Sequence, residues 1–263
     1  METKVELKLK ASGDRKVTNH ATSKGALGKD ATVNDRNSFA LSASRCKEEY
    51  KTSFCDNCYA ASLERFLPTV RNALEHNWQV IEPHLHSYAK LVELLNPIIE
   101  ESVSQKLKRN VPPEKWTFRW FWDGEIPSAA FAKAMSVLAR KHPLVKFWVY
   151  TRNFDVVKHL KAENLYVYLS TDIDNWEWAK ETKKSNRNVM YAFNGLTWAD
   201  TQQVAELCEE PKGLRCPELT GRIDLVQWSE ETTAQGKQIG EGACTACEYC
   251  THGKGNVRFS ATN

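Results

Sequence analysis

Trp116-Thr117-Phe118-Arg119-Trp120-Phe121-Trp122-Asp123, followed by Gly124-Glu125-Ile126-Pro127, is the stretch from which the fold can be read. Trp116, Phe118, Trp120 and Trp122 recur at every second position, the period of a β-strand. A helical pattern over 128–141 follows, with Ser128 placed to cap it. Downstream the alternation repeats. Strands are expected over 145–151, 165–171, 188–193 and, as the last core strand, 222–227; helices are expected over 153–162, 176–183 and 198–208. Strand and helix in turn mean a parallel sheet with right-handed crossovers. The expected fold class is therefore α/β, a full or partial (β/α) TIM-type barrel.

The faces of 116–123 locate a site. Its four alternating tryptophan and phenylalanine side chains suit packing under helices, and Thr117, Arg119, Phe121 and Asp123 occupy the other face. Asp123 then lies at the C-terminal end of its strand, where active sites of barrels are built. Arg152, Asp172 and Asn194 follow the next three strands, so four strands each end in a polar or charged residue. Upstream, a strand over 38–43 leads into a cysteine loop. A helical period over 60–82 is kinked or split by Pro68, and a second helix over 83–109 bends near Pro97. A short edge strand is expected over 4–10. The chain divides into a polar segment (1–37), the barrel (38–228) and a cysteine-rich segment packed on it (229–263), with cysteine-rich loops at the C-terminal face of the strands.

The net charge of +3 is too mild to indicate nucleic acid, and no apolar run reaches the length of a membrane span. Met1-Glu2-Thr3-Lys4 lacks the apolar core of a signal peptide, so a cytoplasmic location is expected. In a reducing compartment the eight cysteines point to metal rather than disulfides. Cys244, Cys247 and Cys250 repeat at intervals of three, like the first ligands of a ferredoxin run. Cys216 is the best fourth ligand, with Cys208 behind it. Cys46, Cys55 and Cys58 form a first group of three. Three thiolates on a four-iron cubane leave one iron free for a substrate or cofactor, whereas four thiolates close a site. Zinc is the alternative metal, and a redox dithiol at Cys55 and Cys58 a further one.

The cysteine group after the first strand and Asp123-Gly124-Glu125-Ile126-Pro127 after the second resemble the radical S-adenosylmethionine superfamily. More closely, Cys55-x-x-Cys58-Tyr59-Ala60, Phe118-Arg119-Trp120, Asp123-Gly124-Glu125, Tyr150-Thr151-Arg152, Arg215-Cys216-Pro217 and the C-terminal triplet resemble a phage-encoded iron–sulfur family. The chain departs from the superfamily pattern in having eight residues between Cys46 and Cys55, and in carrying Asp123 where the first glycine of a Gly-Gly-Glu stretch stands. The resemblance implies a [4Fe–4S] cluster on Cys46, Cys55 and Cys58, and S-adenosylmethionine gripped at Asp123, Gly124, Glu125 and Asn194. It implies Glu125, Arg152 and Asp172 as catalytic residues, a second cluster on Cys216, Cys244, Cys247 and Cys250, and the host cytoplasm as the location. An unknown substrate and an electron donor of host or phage would be the partners. A non-enzymatic electron carrier or redox sensor needs the cysteines but not Glu125. A zinc-stabilised phage accessory module needs no iron.

Overall fold

The computed structural model describes residues 8–23, 31–33 and 35–262. In chain order its strands are β1 (Ala21–Ser23), β2 (Ala31–Val33), β3 (Ser38–Phe39), β4 (Thr117–Trp120), β5 (Lys146–Thr151), β6 (Leu165–Thr171), β7 (Met190–Gly195), β8 (Leu214–Arg215), β9 (Val226–Thr232), β10 (Gln238–Gly242) and β11 (Val257–Ser260). The helices are α1 (Tyr59–Phe66), α2 (Pro68–Ile81), α3 (Tyr88–Lys108), α4 (Ala129–Lys141), α5 (Trp176–Ser185), α6 (Trp198–Leu207) and α7 (Ala243–Cys247).

Seven strands form one parallel sheet in the order β3-β4-β5-β6-β7-β11-β8. The outer strands β3 and β8 are not hydrogen-bonded to each other, so among the described residues the sheet is open and no closed TIM-type barrel forms. A second, antiparallel sheet runs β2-β1-β10-β9. This corrects the last core strand expected at 222–227. Arg222 N and Ile223 N instead close a turn on Pro217 O, and Val226 opens β9. The outer half of β9, Ser229-Glu230-Glu231-Thr232, is polar and largely exposed, which suits an antiparallel sheet with one wet face but not a parallel core strand. Of the edge strand expected over 4–10, residues 4–7 lie outside the described residues. Residues 8–10 form no strand, and Lys10 exchanges two hydrogen bonds with the Asn77 amide (2.8 and 2.9 Å).

Local chemistry sets the boundaries. Pro68 splits the first helical period, ending α1 at Leu67 and opening α2 at its first position, where its missing N–H costs nothing. Ser128 caps α4 by accepting from Phe131 N (3.2 Å). β4 stops where Phe121 turns to a φ of +54°, which breaks the alternation and swings that ring into the helix-side core against Phe39 and Phe131. The helix expected over 153–162 is a 3-10 turn, Phe154–His159, whose paired β-branched Val156 and Val157 are stiff at χ1.

The sheet's two faces differ in kind. Phe118, Trp120, Phe147, Val149, Val167, Leu169, Tyr191 and Phe193 face the helices and form the main core, with Trp120 edge-on to Phe131 of α4 and stacked on Phe147. Tyr168, Ala192 and Val257 lie on the other face under Tyr150, Cys216, Tyr249 and Cys250. The chain's C-terminal cysteine segment thus covers the face that no helix covers.

Candidate metal centres

The loop after β3 makes three short 3-10 turns, Ala43–Arg45, Glu48–Tyr50 and Ser53–Asn57, and carries Cys46, Cys55 and Cys58. The unusual eight-residue spacer is taken up by the middle turn, whose Tyr50 is buried and stacks on Trp178 of α5 (5.9 Å between ring centroids). With the spacer folded away, Cys46 comes close enough to Cys55 and Cys58 to feel both. Its thiol is pushed up to about 12 by burial first, then by Glu125, Cys58, Asp123 and Cys55. Burial and crowded negative charge oppose a thiolate; a cation removes both penalties.

Residues at three strand ends hold this loop. Asp172 after β6 accepts from Arg152 Nη1 (2.5 Å) and from Thr52 Oγ1 (2.6 Å), and Arg152 Nη1 also donates to Thr52 Oγ1 (2.8 Å). The Arg152 guanidinium lies 5.6 Å from the Phe54 ring centre, and Asp174 accepts from Ser53 N (2.8 Å). Arg152 and Asp172 are therefore joined to each other and clamp the cysteine loop from below. Glu125 braces the same region: its carboxylate accepts from Ile126 N (2.7 Å), Thr151 Oγ1 (2.6 Å) and Arg152 N (2.5 Å). A direct grip of Glu125 on a ligand's ammonium group competes with three donors already in place. Burial raises its pKa, against the pull of Thr151 and the two backbone donors.

Asp123 is 2% exposed, and neither of its carboxylate oxygens has a hydrogen-bond partner. Burial, then the neighbouring Glu64 carboxylate, pushes it up to about 8. Glu64 itself accepts from Ser42 Oγ (2.6 Å) and Ala43 N (2.7 Å), tying α1 to the cysteine loop. Gly124 has φ +73°, and a Cβ there would stand 2.5 Å from Leu41 O, so only glycine allows the loops after β3 and β4 to meet. Asn194 turns inward, its amide donating to Ala192 O (2.8 Å) and Ser170 Oγ (3.1 Å).

The second cysteine group lies on the sheet face opposite the main core. Cys216 follows β8 and is fixed by Cys216 N donating to Arg258 O (3.0 Å); Cys244 and Cys247 lie on α7, and Cys250 opens the next turn. Cys250 is pushed up to about 12 by burial, partly offset by the Tyr150 hydroxyl bonded to it, with Cys216 and Cys247 adding negative charge nearby. Cys244 is raised well above the ordinary thiol range by burial and by Cys250, while Arg119 and Lys16 favour its thiolate. Cys244 and Cys250 are partly buried. On the same face, Arg119 Nε, Trp148 Nε1 and Thr117 Oγ1 are buried without partners, as is Thr245 Oγ1 next to Cys244. Cys208 does not join them. It is buried in the helix-side core beside Tyr191 and Lys180, which corrects its place as reserve ligand.

Among the described residues no three His, Cys, Asp or Glu side chains gather as a ready-made site for a single ion. Sequence reading missed Thr52, Glu64, Tyr150 and Lys16. Tyr150 was within reach, since it shares the strand parity of Trp148, the register partner of Arg119. Thr52 and Glu64 act through tertiary contacts that leave no periodic signal.

Fold and sequence together define an open parallel α/β protein with a second, antiparallel sheet and cysteines in two stretches of the chain. The chain belongs to the Gene product 88 family, whose model matches residues 7–253 and so spans both cysteine sets. It is 33% identical over 264 residues to the Gene 88 protein of Mycobacterium phage L5, covering 97% of this chain and 98% of the relative. The Gene 88 protein of Mycobacterium phage D29 matches at the same identity and coverage. The expected kinship with phage gene products is thereby established. No solved structure matches the chain. No helix among the described residues is long and apolar enough to cross a membrane.

Proposed function

We propose that this phage protein is an iron–sulfur protein with a partial barrel of radical S-adenosylmethionine type. Cys46, Cys55 and Cys58 hold an open [4Fe–4S] cluster, and Cys216, Cys244, Cys247 and Cys250 hold a second, closed one. The observation that carries the reading is the loop after β3, which bears Cys46, Cys55 and Cys58 and is tied to the ends of β5 and β6 through Thr52, Arg152 and Asp172. The donor chemistry fits: Cys46, Cys216, Cys244 and Cys250 are thiols whose proton burial makes hard to remove without a cation.

When bound and reduced, a cluster with one iron unclaimed by protein thiolates supplies the electron that cleaves S-adenosylmethionine and begins radical chemistry on a substrate. The chain's own residues prepare the place. Thr52, Arg152 and Asp172 fix the ligand loop, Gly124 lets two backbone loops meet beside it, and Glu125 pins the β4 and β5 ends together. Asp123 keeps a buried carboxyl group near Cys46, and burial opposes its ionisation.

The test is iron and acid-labile sulfide analysis with electron paramagnetic resonance on protein purified without air and reduced with dithionite. A [4Fe–4S] signal that changes shape on adding S-adenosylmethionine is the expected result. A signal indifferent to it would leave an electron carrier or redox sensor. Protein containing zinc and no iron would refute the proposal.

A further inference from the structure

We propose that Arg258 and Arg215, side by side on β11 and β8, form an anion site that binds a doubly charged phosphate group.

Lys106, Arg119 and Arg258 are the buried cations among the described residues. Lys106 Nζ lies 3.7 Å from Asp35, and Arg119 Nη1 donates to Asp14 (2.8 Å). Arg258 is 5% exposed and pairs with no carboxylate among the described residues. Its Nε and Nη1 are closed to water and have no hydrogen-bond partner. A buried charge without a counter-charge is costly, and such a group calls for an acceptor from outside the chain. The acids of α6, which packs on β11, are engaged elsewhere: Asp200 accepts from Thr197 N (2.7 Å) and Glu206 from Gln202 Nε2 (2.9 Å). Just beyond that helix, Glu209 pairs with Lys180 (2.8 Å) and Glu210 accepts from Asn256 Nδ2 (3.4 Å).

The strand places a second cation beside it. Val257 and Phe259 lie on the sheet face that carries Cys216 and Cys250, so Arg258 between them lies on the helix side. Its register partner on β8 is Arg215, and on β7 the buried Phe193. Register partners in a parallel ladder share a face, so the two arginines stand together next to an apolar ring. Arg215 is exposed, with its guanidinium 5.2 Å from the centre of the Trp198 ring on α6. Because β8 is the outer strand of its sheet, the pair lies at an edge that a solute can approach. Like charges on neighbouring strands repel, and a dianion between them relieves that repulsion and the orphaned charge at once. A phosphate monoester carries about −1.5 to −2 charges and three acceptor oxygens, which suits two guanidinium forks better than a singly charged carboxylate does.

The experiment is calorimetric titration of the full chain with inorganic phosphate, phenyl phosphate and acetate in turn, at constant ionic strength. Saturable phosphate binding is expected, with acetate weaker by about tenfold or more. R215Q, a change at an exposed position, should weaken phosphate binding by about tenfold, and R258M should abolish it. Phenyl phosphate bound as tightly as inorganic phosphate would support the site and assign it to a phosphorylated small molecule. Inorganic phosphate bound and phenyl phosphate rejected would support it as a site for the free ion. Acetate bound as tightly as phosphate, or no binding of either phosphate, would overturn the proposal. So would an R215Q affinity equal to the parent's, and that comparison decides the matter should R258M fail to fold.

Discussion

Removing the Asp172 carboxylate should loosen the first cysteine loop at a measurable cost in stability. Asp172 Oδ2 receives Arg152 Nη1 and Thr52 Oγ1, and Oδ1 receives Asp174 N (3.0 Å). The Arg152 and Asp172 side chains are 14% and 3% exposed, so Asp172→Ala strands a mostly buried cation. Breaking such a pair from one side costs about 3–5 kcal/mol, and the residual water contact of Arg152 places this case near about 3. Thr52→Val removes one hydrogen bond to a charged group, about 1.5 kcal/mol. Because both changes strip the same carboxylate contact, the double variant should cost about as much as Asp172→Ala alone, a coupling of about 1.5 kcal/mol. Urea unfolding of the metal-free protein gives all three values from midpoints at constant slope. An Asp172→Ala cost below about 1 kcal/mol, within the range of ordinary surface changes, would refute the clamp and return Asp172 to a role in contacting ligand only.

Three further outcomes follow from the geometry. Gly124→Ala should destabilise by about 1–3 kcal/mol from the positive φ alone, and more from the contact with Leu41 O, as read by thermal unfolding. Asp123 is raised in the folded state, so the unfolded chain binds fewer protons. Stability of the metal-free protein should therefore fall as pH rises from about 4 to about 8, by up to about 1.4 kcal/mol per pH unit, and Asp123→Asn should flatten that slope in urea titrations across pH. Cys208→Ala should leave iron per chain unchanged and cost about 1 kcal/mol of stability, whereas Cys250→Ala should reduce iron per chain.

The parallel core was legible because β4, β5, β6 and β7 carry dense apolar periodicity, and the helix between β4 and β5 carries its own cap. What escaped was long-range. β11 is Val257-Arg258-Phe259-Ser260, too short and too mixed to stand out, and it takes its place only by pairing with β7 and β8. The alternation in 116–123 assigned Arg119 to the face away from the helices, but the positive φ at Phe121 cut the pattern before Asp123. Spacing separated the cysteines into two groups, and in the structure Cys216 and Cys250 of the second pack against the same small cluster on one sheet face. Spacing could not say that the second group would lie across the sheet face, because Tyr150 and Tyr168 contact Cys250 from 100 and 82 positions away in the chain. Nor could it reveal that Arg152, Asp172 and Thr52 act as one unit.

The position of β11 has a consequence for synthesis on the ribosome. Among the described residues strand β8 bonds in the sheet to β11 alone, so Leu214 and Arg215 wait for residues 257–260 before they can be held there. Cys216, next to β8, is anchored by Arg258 O and waits with them. The three cysteines on α7 and beyond emerge before that anchor does. During translation at about 5–20 residues per second, the loop of Cys46, Cys55 and Cys58 leaves the ribosome about 10–40 seconds before β11. A chain ending before residue 257 would therefore keep the partners of the first cysteine loop but leave Cys216 without its backbone anchor on Arg258.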